Sequence, residues 1–535
     1  MQDKTLYRLA DHAAAEPLVN QWVAWPHVFS PVPYSLHMAN YQTRTLASYL
    51  QSPELHVKSS RNPKLLGGPF VDIDASRTGE VGILLSTLEQ EHHDILQLGK
   101  SLFEFQKTLA EEAQGQGLNP YYEKIPEALG GYVELNYDYF NHPMVRCLES
   151  MLYASPYYKE QSQSLRLFSQ ARDDSRAYYM STPRLPGPDE IEWKTPFANA
   201  RVDDLFGLDE TPQPIEYIRD LLGLSPADDE RLLPLLAKDA AGRPAAPNPG
   251  EMRIRYCGHA CVLLEWNGTA ILIDPFLPVQ PKEGGIDRFT FSDLPARIDY
   301  VLITHGHHDH FVFESLLRLR RRIGCLVVPK SSGIFYGDIS LKLMAHKLGF
   351  KNVLEIDALE SIPFPGGEII GSPFFGEHSD LPHAKSGYII RTGQKLTLFA
   401  ADSNCLDKRL YQHVRKSLGP IQTVFLGMEC IGAPLSWVYG PLLPVQPQHS
   451  HNMSRRSNGS DSKGALNLLD AVGAESVYIY AIGREPWLKY FMALTPEDND
   501  PYIKESNIVL EAAREKGFKD AQRPFGKMEL RLHGC

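Results

Sequence analysis

Residues 304–310 carry the densest group of potential metal ligands in the chain, Thr304-His305-Gly306-His307-His308-Asp309-His310. An apolar run ending at Ile303 precedes them and predicts a β-strand, so the side chains project from its end. His305 and His307 are two apart in extended chain and point the same way, whereas Asp309 and His310 fall at the start of the next helix. This layout predicts two neighbouring metal ions, a centre that can polarise bound water or oxygen. A polar helix N-terminus rich in histidine by chance is the weaker alternative, because the spaced pattern after an apolar strand is specific.

Two later segments supply further oxygen and nitrogen ligands. Glu377-His378 follows one apolar strand and Asp402 ends another. A strand-ending aspartate alone is more often a turn former, but its position after the other motifs favours a carboxylate that bridges two cations. Asp274 also ends a strand, and we expect it to orient a ligand histidine, with turn formation as the alternative. The predicted metal ligands are His305, His307, Asp309, His310, Glu377, His378 and Asp402, of which Glu377 and Asp402 are also the predicted catalytic residues.

The C-terminal half alternates short β-branched runs with helical segments. Residues 253–257, 261–265 and 270–274 predict a meander with a hairpin turn at Asn267-Gly268. Meanders combined with βα units predict an α/β fold, with helices on the outer faces of sheets. The remaining predicted strands are 300–303, 325–328, 387–391, 396–400, 423–427 and 477–481, and the predicted helices are 311–321 and 340–348.

The N-terminal half differs in pattern and composition. Residues 89–112 have the spacing of an amphipathic helix, and the chain beyond them is rich in tyrosine, which suits either an interface or a packed core. A run rich in alanine, proline and glycine then predicts a linker. The predicted organisation is an N-terminal domain over 1–236, a linker over 237–250 and a catalytic domain over 251–535.

Bulk properties narrow the class of protein. The chain has 535 residues, a formal charge of −11 and seven scattered cysteines. It shows neither a secretory signal nor an apolar run long enough to span a membrane, so we expect a cytoplasmic protein with reduced thiols and no membrane partner. The negative charge argues against nucleic acid as a partner. The one basic run, 318–322, predicts a solvated helix face, with a contact for a phosphate-bearing partner as the alternative.

Five segments resemble, in order, the motifs of the metallo-β-lactamase superfamily. The resemblance spans roughly residues 250–485 and implies a metallo-β-lactamase αβ/βα sandwich, here preceded by a mixed α+β N-terminal domain. It also implies that His305 and His307 bind one metal, that Asp309 and His310 bind the other, and that Asp402 bridges them. The segments are Gly258-His259-Ala260, 271–275, 305–310, Glu377-His378-Ser379 and Ala401-Asp402-Ser403.

One departure from that superfamily concerns the metal. The superfamily usually supplies a last histidine after a late strand, but residues 477–483 contain none. His449 and His451 lie upstream and are candidates to replace it. A centre with fewer histidines and an added carboxylate, Glu377, fits iron better than a zinc pair.

The tyrosine-rich N-terminal half, the linker, residues 305–310, Glu377 and the segments Gly440-Pro-Leu-Leu-Pro444 and Arg484-Glu-Pro-Trp487 extend the likeness over the whole chain. Together they resemble a narrower family, the diiron β-hydroxylases that act in antibiotic biosynthesis. That resemblance implies two iron ions, O₂ as co-substrate, and hydroxylation of the β-carbon of an amino acid held as a thioester on a carrier domain of a nonribosomal peptide synthetase. It further implies an N-terminal domain that helps to form a homodimer and to dock the carrier. Since the sequence shows no dinucleotide fingerprint and no cysteine spacing for an iron–sulfur cluster, an external reductase or other electron-transfer protein must supply electrons.

Two other functions are compatible with parts of the pattern. A dizinc hydrolase of the same fold would cleave a thioester, lactone or phosphodiester with a metal-held water. A binding module with structural metals is less compatible, because structural zinc sites are usually mononuclear and rich in cysteine.

Overall fold

The computed structural model describes residues 5–238, 242, 245–248, 250–376, 384–493 and 496–533. The N-terminal half is a mixture of short strands and helices. Its strands are β1 (Leu6–Leu9), β2 (Ala13–Val19), β3 (Trp22–Val23), β4 (Val133–Tyr137), β5 (Pro143–Cys147), β6 (Gln163–Ser169), β7 (Ile191–Lys194), β8 (Gln213–Pro214) and β9 (Leu236–Ala237). Its helices are α1 (Pro26–Phe29), α2 (Pro31–His37), α3 (Thr43–Gln51), α4 (Pro53–Ser60), α5 (Thr78–Gln90), α6 (His93–Glu112), α7 (Glu149–Tyr153), α8 (Ala200–Phe206), α9 (Ile215–Leu222) and α10 (Asp229–Leu232).

The C-terminal half contains the longer strands. They are β10 (Glu251–Tyr256), β11 (Val262–Trp266), β12 (Thr269–Ile273), β13 (Ile298–Leu302), β14 (Ile323–Pro329), β15 (Val353–Ile356), β16 (Ser361–Phe364), β17 (Gly367–Ser372), β18 (Gly387–Thr392), β19 (Lys395–Phe399), β20 (Thr423–Gly427), β21 (Ser476–Tyr480), β22 (Asp520–Gln522) and β23 (Met528–His533). The helices are α11 (Phe313–Leu319), α12 (Leu341–Lys347), α13 (Lys408–Leu418), α14 (Leu435–Tyr439), α15 (His449–Ser454), α16 (Ser462–Val472), α17 (Lys489–Met492) and α18 (Pro501–Glu515).

Two seven-stranded sheets form the centre of the C-terminal half, in the orders β15-β14-β13-β12-β11-β10-β23 and β16-β17-β18-β19-β20-β21-β22. In each sheet an antiparallel meander leads into parallel strands. Apolar side chains of both sheets, such as Ile254, Leu264, Phe399 and Phe425, pack into one buried layer between them. Helices α13, α16 and α18 cover the outer face of the second sheet. The predicted αβ/βα sandwich is therefore confirmed, and so are its predicted strands.

The N-terminal half covers the outer face of the first sheet, together with α11 and α12. One buried hydrophobic cluster contains side chains from both halves of the chain. Phe29 of α1, for example, packs edge-on against Phe313 of α11 with ring centroids 5.2 Å apart. The helix predicted over residues 89–112 also forms, as α6. It begins at His93 and not at residue 89, since residues 89 and 90 are the end of the preceding helix α5.

The basic run at 318–322 is not a solvated face, so that prediction was wrong. The Arg318 guanidinium is buried and donates to the carbonyl of Ala13, 2.9 Å away. Arg320 is buried too and donates to Asp203 at 2.8 Å. Because the N-terminal half packs over α11, the carbonyl and carboxylate groups that the N-terminal half brings to this contact need hydrogen-bond donors. Arg318 and Arg320 supply them.

A second polar contact joins the halves around Glu16 on β2, whose side chain is 1% exposed. Its carboxylate lies 2.8 Å from Arg184 Nε and 2.9 Å from an Arg166 nitrogen. Arg176 is 3.8 Å from Glu16 and 2.7 Å from Glu314 on α11. The charges of these arginines outweigh the effect of burial and lower the pKa of Glu16 to about 2. The cluster therefore ties the strand that carries Glu16 to the C-terminal half through paired buried charges.

None of the described helices combines the length and the apolar composition that a membrane span requires. The six cysteines in the described part of the chain all have free thiols.

Candidate metal centre

The ends of several strands that run in the same direction meet at one edge of the sandwich, where ligands of α/β proteins usually bind. Four residues other than glycine adopt left-handed backbone angles just after β10, β12, β19 and β21, and they are His259, Asp274, Ala401 and Ala481. Such conformations are costly and persist where the surroundings hold them. Here Ala481 N donates to the carbonyl of His259 at 3.1 Å, and Ala401 N donates to the Tyr480 hydroxyl at 3.1 Å. The strand ends are therefore fixed to one another before any ligand is considered.

Two groups of possible metal ligands lie at this edge. One comprises His305, His307 and Asp402, and the other comprises His259, Asp309 and His310; within each group the ligand atoms are within 4.8 Å of one another. Five of the residues predicted as ligands are thus brought together, namely His305, His307, Asp309, His310 and Asp402. The other two, Glu377 and His378, lie outside the described residues.

Asp402 lies between the two groups. Its Oδ2 is 3.6 Å from Nε2 of His305 in its own group and 3.2 Å from Nε2 of His310 in the other group. A carboxylate in this position can give one oxygen to each of two cations or share one oxygen between them. The geometry agrees with a bridging role for Asp402.

Asp274 orients the site histidine His310, as predicted. Its Oδ2 accepts a hydrogen bond of 2.8 Å from Nδ1 of His310, and its two oxygens also accept from the amide and hydroxyl of Thr304 at 2.8 and 2.6 Å. With the proton held on Nδ1, the Nε2 atom of His310 keeps its lone pair for a cation.

We predict that Asp274→Asn weakens iron binding by about 10- to 100-fold, because the amide no longer fixes the His310 tautomer. Iron retained against increasing concentrations of a chelator measures this. Asp299→Asn is the matched control, since Asp299 also accepts from a backbone amide of the same sheet (Ala270, 2.9 Å) but does not contact the centre. Equal iron retention by the two variants would contradict the prediction.

His259 was missed as a possible ligand by the sequence analysis. Its Nε2 lies 3.0 Å from Oδ2 of Asp309, so it can either join the second group or orient the Asp309 carboxylate. The Gly258-His259 segment was noted there only as a family motif. Like His305, His259 follows a predicted strand, and that position could have indicated it as a possible ligand.

His449 and His451, the two suggested replacements for the absent histidine, are exposed on helix α15. Neither belongs to the two ligand groups found among the described residues.

The remaining histidine of the motif, His308, points into an aromatic cluster instead. It stacks on Tyr179 of the N-terminal half and on Phe491, with centroid distances of 4.9 and 5.5 Å. Burial lowers the pKa of His308 to about 4, so this ring is neutral and serves as packing. His307, a member of the first ligand group, has its Nε2 3.3 Å from the Tyr439 hydroxyl. The Tyr439 ring in turn packs against His27 of the N-terminal half. The N-terminal half thus closes one side of the centre.

A cavity of about 220 Å³ opens onto both ligand groups. His307, Asp309 and Asp402 form its floor, and its walls are largely apolar. The half-buried Glu429 also lines it; burial, followed by the charges of Asp402 and Asp309, raises the pKa of this carboxyl to about 8. The other wall residues include Leu66, Ile431, Pro434, Trp437, Val438, Arg456, Met492 and Tyr502.

The donor set fits iron. It combines imidazole nitrogens with carboxylate oxygens and contains no thiolate, the composition found in non-haem iron sites. Nε2 of His310 is buried and makes no hydrogen bond within the described part of the chain, although it faces Asp402. A cation between that nitrogen and that carboxylate would satisfy both.

Family models match both halves of the chain. The family model described as the diiron non-heme beta-hydroxylase N-terminal domain matches residues 8–240, and a beta-lactamase superfamily domain matches residues 253–361. A UPF0173 protein of Pyrococcus furiosus is 32% identical over 145 residues, which are 27% of this chain and 58% of that protein.

Two further similarities extend over nearly the whole chain. The 4-amino-L-phenylalanyl-[CmlP-peptidyl-carrier-protein] 3-hydroxylase of Streptomyces venezuelae is 35% identical over 98% of this chain and 100% of its own length. The crystal structure of CmlA, a diiron β-hydroxylase from the same organism, superimposes with a TM-score of 0.91 at 33% identity, covering 99% of this chain and 100% of that one. With the N-terminal domain, the lactamase-type domain and the full length all shared, this chain belongs to the diiron non-haem β-hydroxylases.

Proposed function

We propose that this member of the family hydroxylates the β-carbon of an amino acid held as a thioester on a carrier domain of a nonribosomal peptide synthetase, in antibiotic biosynthesis. The observation that carries the proposal is the pair of ligand groups, joined by Asp402, at the floor of a mostly apolar cavity. The full-length relative whose name specifies a carrier-bound 4-amino-L-phenylalanyl group supports the choice of substrate class. That relative is named as a 3-hydroxylase, which favours hydroxylation over thioester, lactone or phosphodiester cleavage.

The family's cofactor is a pair of iron ions, which we propose are held by residues of both groups. His305, His307 and Asp402 would hold one, while Asp309 and His310 would hold the other. Glu377 and His378, predicted from the sequence, would complete the set. When bound and reduced, the iron pair supplies the O₂ chemistry that inserts one oxygen atom into a C–H bond.

The chain's own residues position the reactants and exclude water. Asp274 keeps the proton of His310 on Nδ1, and Asp402 fixes the spacing between the two ligand groups. The apolar walls, with Trp437 and Met492, can bury the aminoacyl side chain so that its β-carbon faces the floor of the cavity. Tyr179 and His27 of the N-terminal half, packed behind His308 and Tyr439, deny water access from that side.

Several partners complete the proposal. The carrier domain delivers the substrate, and an external electron-transfer protein reduces the centre. We also propose a homodimer that involves the N-terminal half, and a cytoplasmic location, which the free thiols of the described cysteines support.

The decisive test is a single turnover by protein purified from iron-supplied cells. We expect about two iron ions per chain by elemental analysis, in line with the family's diiron centre. With a chemical reductant and O₂, mass spectrometry of a panel of aminoacyl-loaded carriers should show the gain of one oxygen atom on the acyl group. Zinc in place of iron, together with release of the unmodified amino acid, would instead identify the hydrolase. The same panel identifies which amino acid is modified.

A further inference from the structure

One acidic side chain of the cavity belongs to neither ligand group. Glu429 follows β20, two residues beyond Gly427, whose amide donates to the carbonyl of Ala401 at 2.8 Å. The carbonyl of Glu429 accepts from Gly459 N at 2.9 Å. The backbone on both sides is therefore fixed next to Asp402, and the side chain lines the cavity beside the metal floor.

The carboxyl of Glu429 has no hydrogen bond or ion pair to another side chain of the described residues. Arg456 also lines the cavity and its charge acts on Glu429, but it makes no ion pair with that carboxyl, and its Nε donates to the carbonyl of Gly432 at 2.7 Å. A cationic group placed beside Glu429 would therefore pair with a carboxyl that neither ligand group uses.

The proposed substrate carries such a cation. An aminoacyl thioester has a free α-ammonium on the carbon next to the β-carbon. When the β-carbon faces the floor formed by His307 and Asp402, the α-ammonium must lie within the same small cavity. Among the described residues that line the cavity, Glu429 is the one acid outside the two ligand groups.

We propose that Glu429 accepts a hydrogen bond from the α-ammonium of the carrier-bound aminoacyl group. It acts as a specificity-determining residue that orients the β-carbon and rejects acyl groups without an amine. This inference rests on the proposed function, since it assumes an aminoacyl substrate in this cavity.

The test compares the wild type and two variants, each with two differently loaded carriers. The carriers hold a 4-aminophenylalanyl group, as in the relative, and its des-amino counterpart, the 3-(4-aminophenyl)propionyl group. The variants are Glu429→Gln, which keeps the shape, and Glu511→Gln, a control that removes one charge from the exposed face of α18. Dissociation constants are measured for each loaded carrier, with iron content and oxygen insertion measured in parallel.

We expect the wild type to bind the aminoacyl carrier about 10- to 100-fold more tightly than the des-amino carrier, the range for a hydrogen bond to a charged group. Glu429→Gln should lose that preference by weakening only the aminoacyl complex, and Glu511→Gln should keep it. Iron content should be unchanged in both variants.

Three results would overturn the inference. They are equal binding of both carriers by the wild type, a preference that survives in Glu429→Gln, and loss of iron from Glu429→Gln, which would make Glu429 a metal ligand. Failure of the proposed function looks different, because the wild type would then insert no oxygen into any carrier of the panel. The binding comparison still reports on Glu429 in that case.

Discussion

Replacing Asp402 with alanine is expected to strip iron from the centre and to lower product formation by more than about 100-fold. Losing an outer partner of a ligand already costs about 10- to 100-fold, and Asp402 faces histidines of both ligand groups rather than one. Its loss also leaves His305 and His310 without the anion between them. Elemental analysis of the purified variant and mass spectrometry of the loaded carrier measure the two effects.

The matched control for Asp402→Ala is Asp407→Asn. Asp407 lies five positions along the same segment, is partly exposed, and caps helix α13 by accepting from Arg409 N. Asparagine caps helices as well as aspartate does, so this variant should keep its iron and its activity. An Asp402→Ala protein that retains two iron ions per chain would exclude Asp402 as a bridging ligand.

Glu16→Gln is expected to lower the free energy of unfolding by about 3 kcal/mol at neutral pH. The variant leaves Arg166, Arg176 and Arg184 buried without their shared anion, and breaking a buried ion pair by removing one partner costs about 3–5 kcal/mol. The lowered pKa of Glu16, about 2 against an ordinary 4.5, gives a similar size when about 1.4 kcal/mol is assigned to each pKa unit. Urea unfolding followed by circular dichroism measures the loss.

The dependence of this loss on pH has a definite sign. Since the pKa of Glu16 is lower in the folded than in the unfolded chain, its contribution is complete above pH 4.5 and disappears as the pH falls towards 2. The difference in stability between wild type and Glu16→Gln should therefore shrink between those values. Glu80→Gln is the control, because Glu80 is exposed and its partner Arg77 is partly exposed, and it should change stability little at any pH. A Glu16 effect that stays constant down to pH 2 would contradict the assignment to its charge.

The part of the site that could be predicted from sequence is the part encoded in short segments. Residues 305–310 can be recognised in the sequence because a strand, a spaced set of possible ligands and the start of a helix follow one another without interruption. Most strands of the sandwich were predicted for the same reason, since apolar β-branched runs are local signals, but β15, β16, β22 and β23 were not. Asp274 could be assigned as a partner of a site histidine because it ends the neighbouring parallel strand.

The parts that escaped prediction depend on contacts between distant segments. Arg318 seemed to belong to a solvated helix face, yet its partner is the carbonyl of Ala13, which no local pattern could indicate. His259 and Glu429 each follow a strand in an ordinary context, and only the folded chain brings His259 to the second ligand group and Glu429 to the cavity. The stacking of Tyr179 on His308 likewise requires knowing that the N-terminal half covers the first sheet.

The hydrophobic cluster shared by the two halves constrains how such enzymes can be recombined. A chimaera that joins the N-terminal half of one relative to the C-terminal half of another replaces the side chains on one side of this shared hydrophobic cluster. Phe29 and Phe313 meet across that seam, so a foreign partner on either side leaves a void or a clash. Any exchange of one half between relatives must therefore move both surfaces of the seam as a set, or confine itself to residues that face solvent.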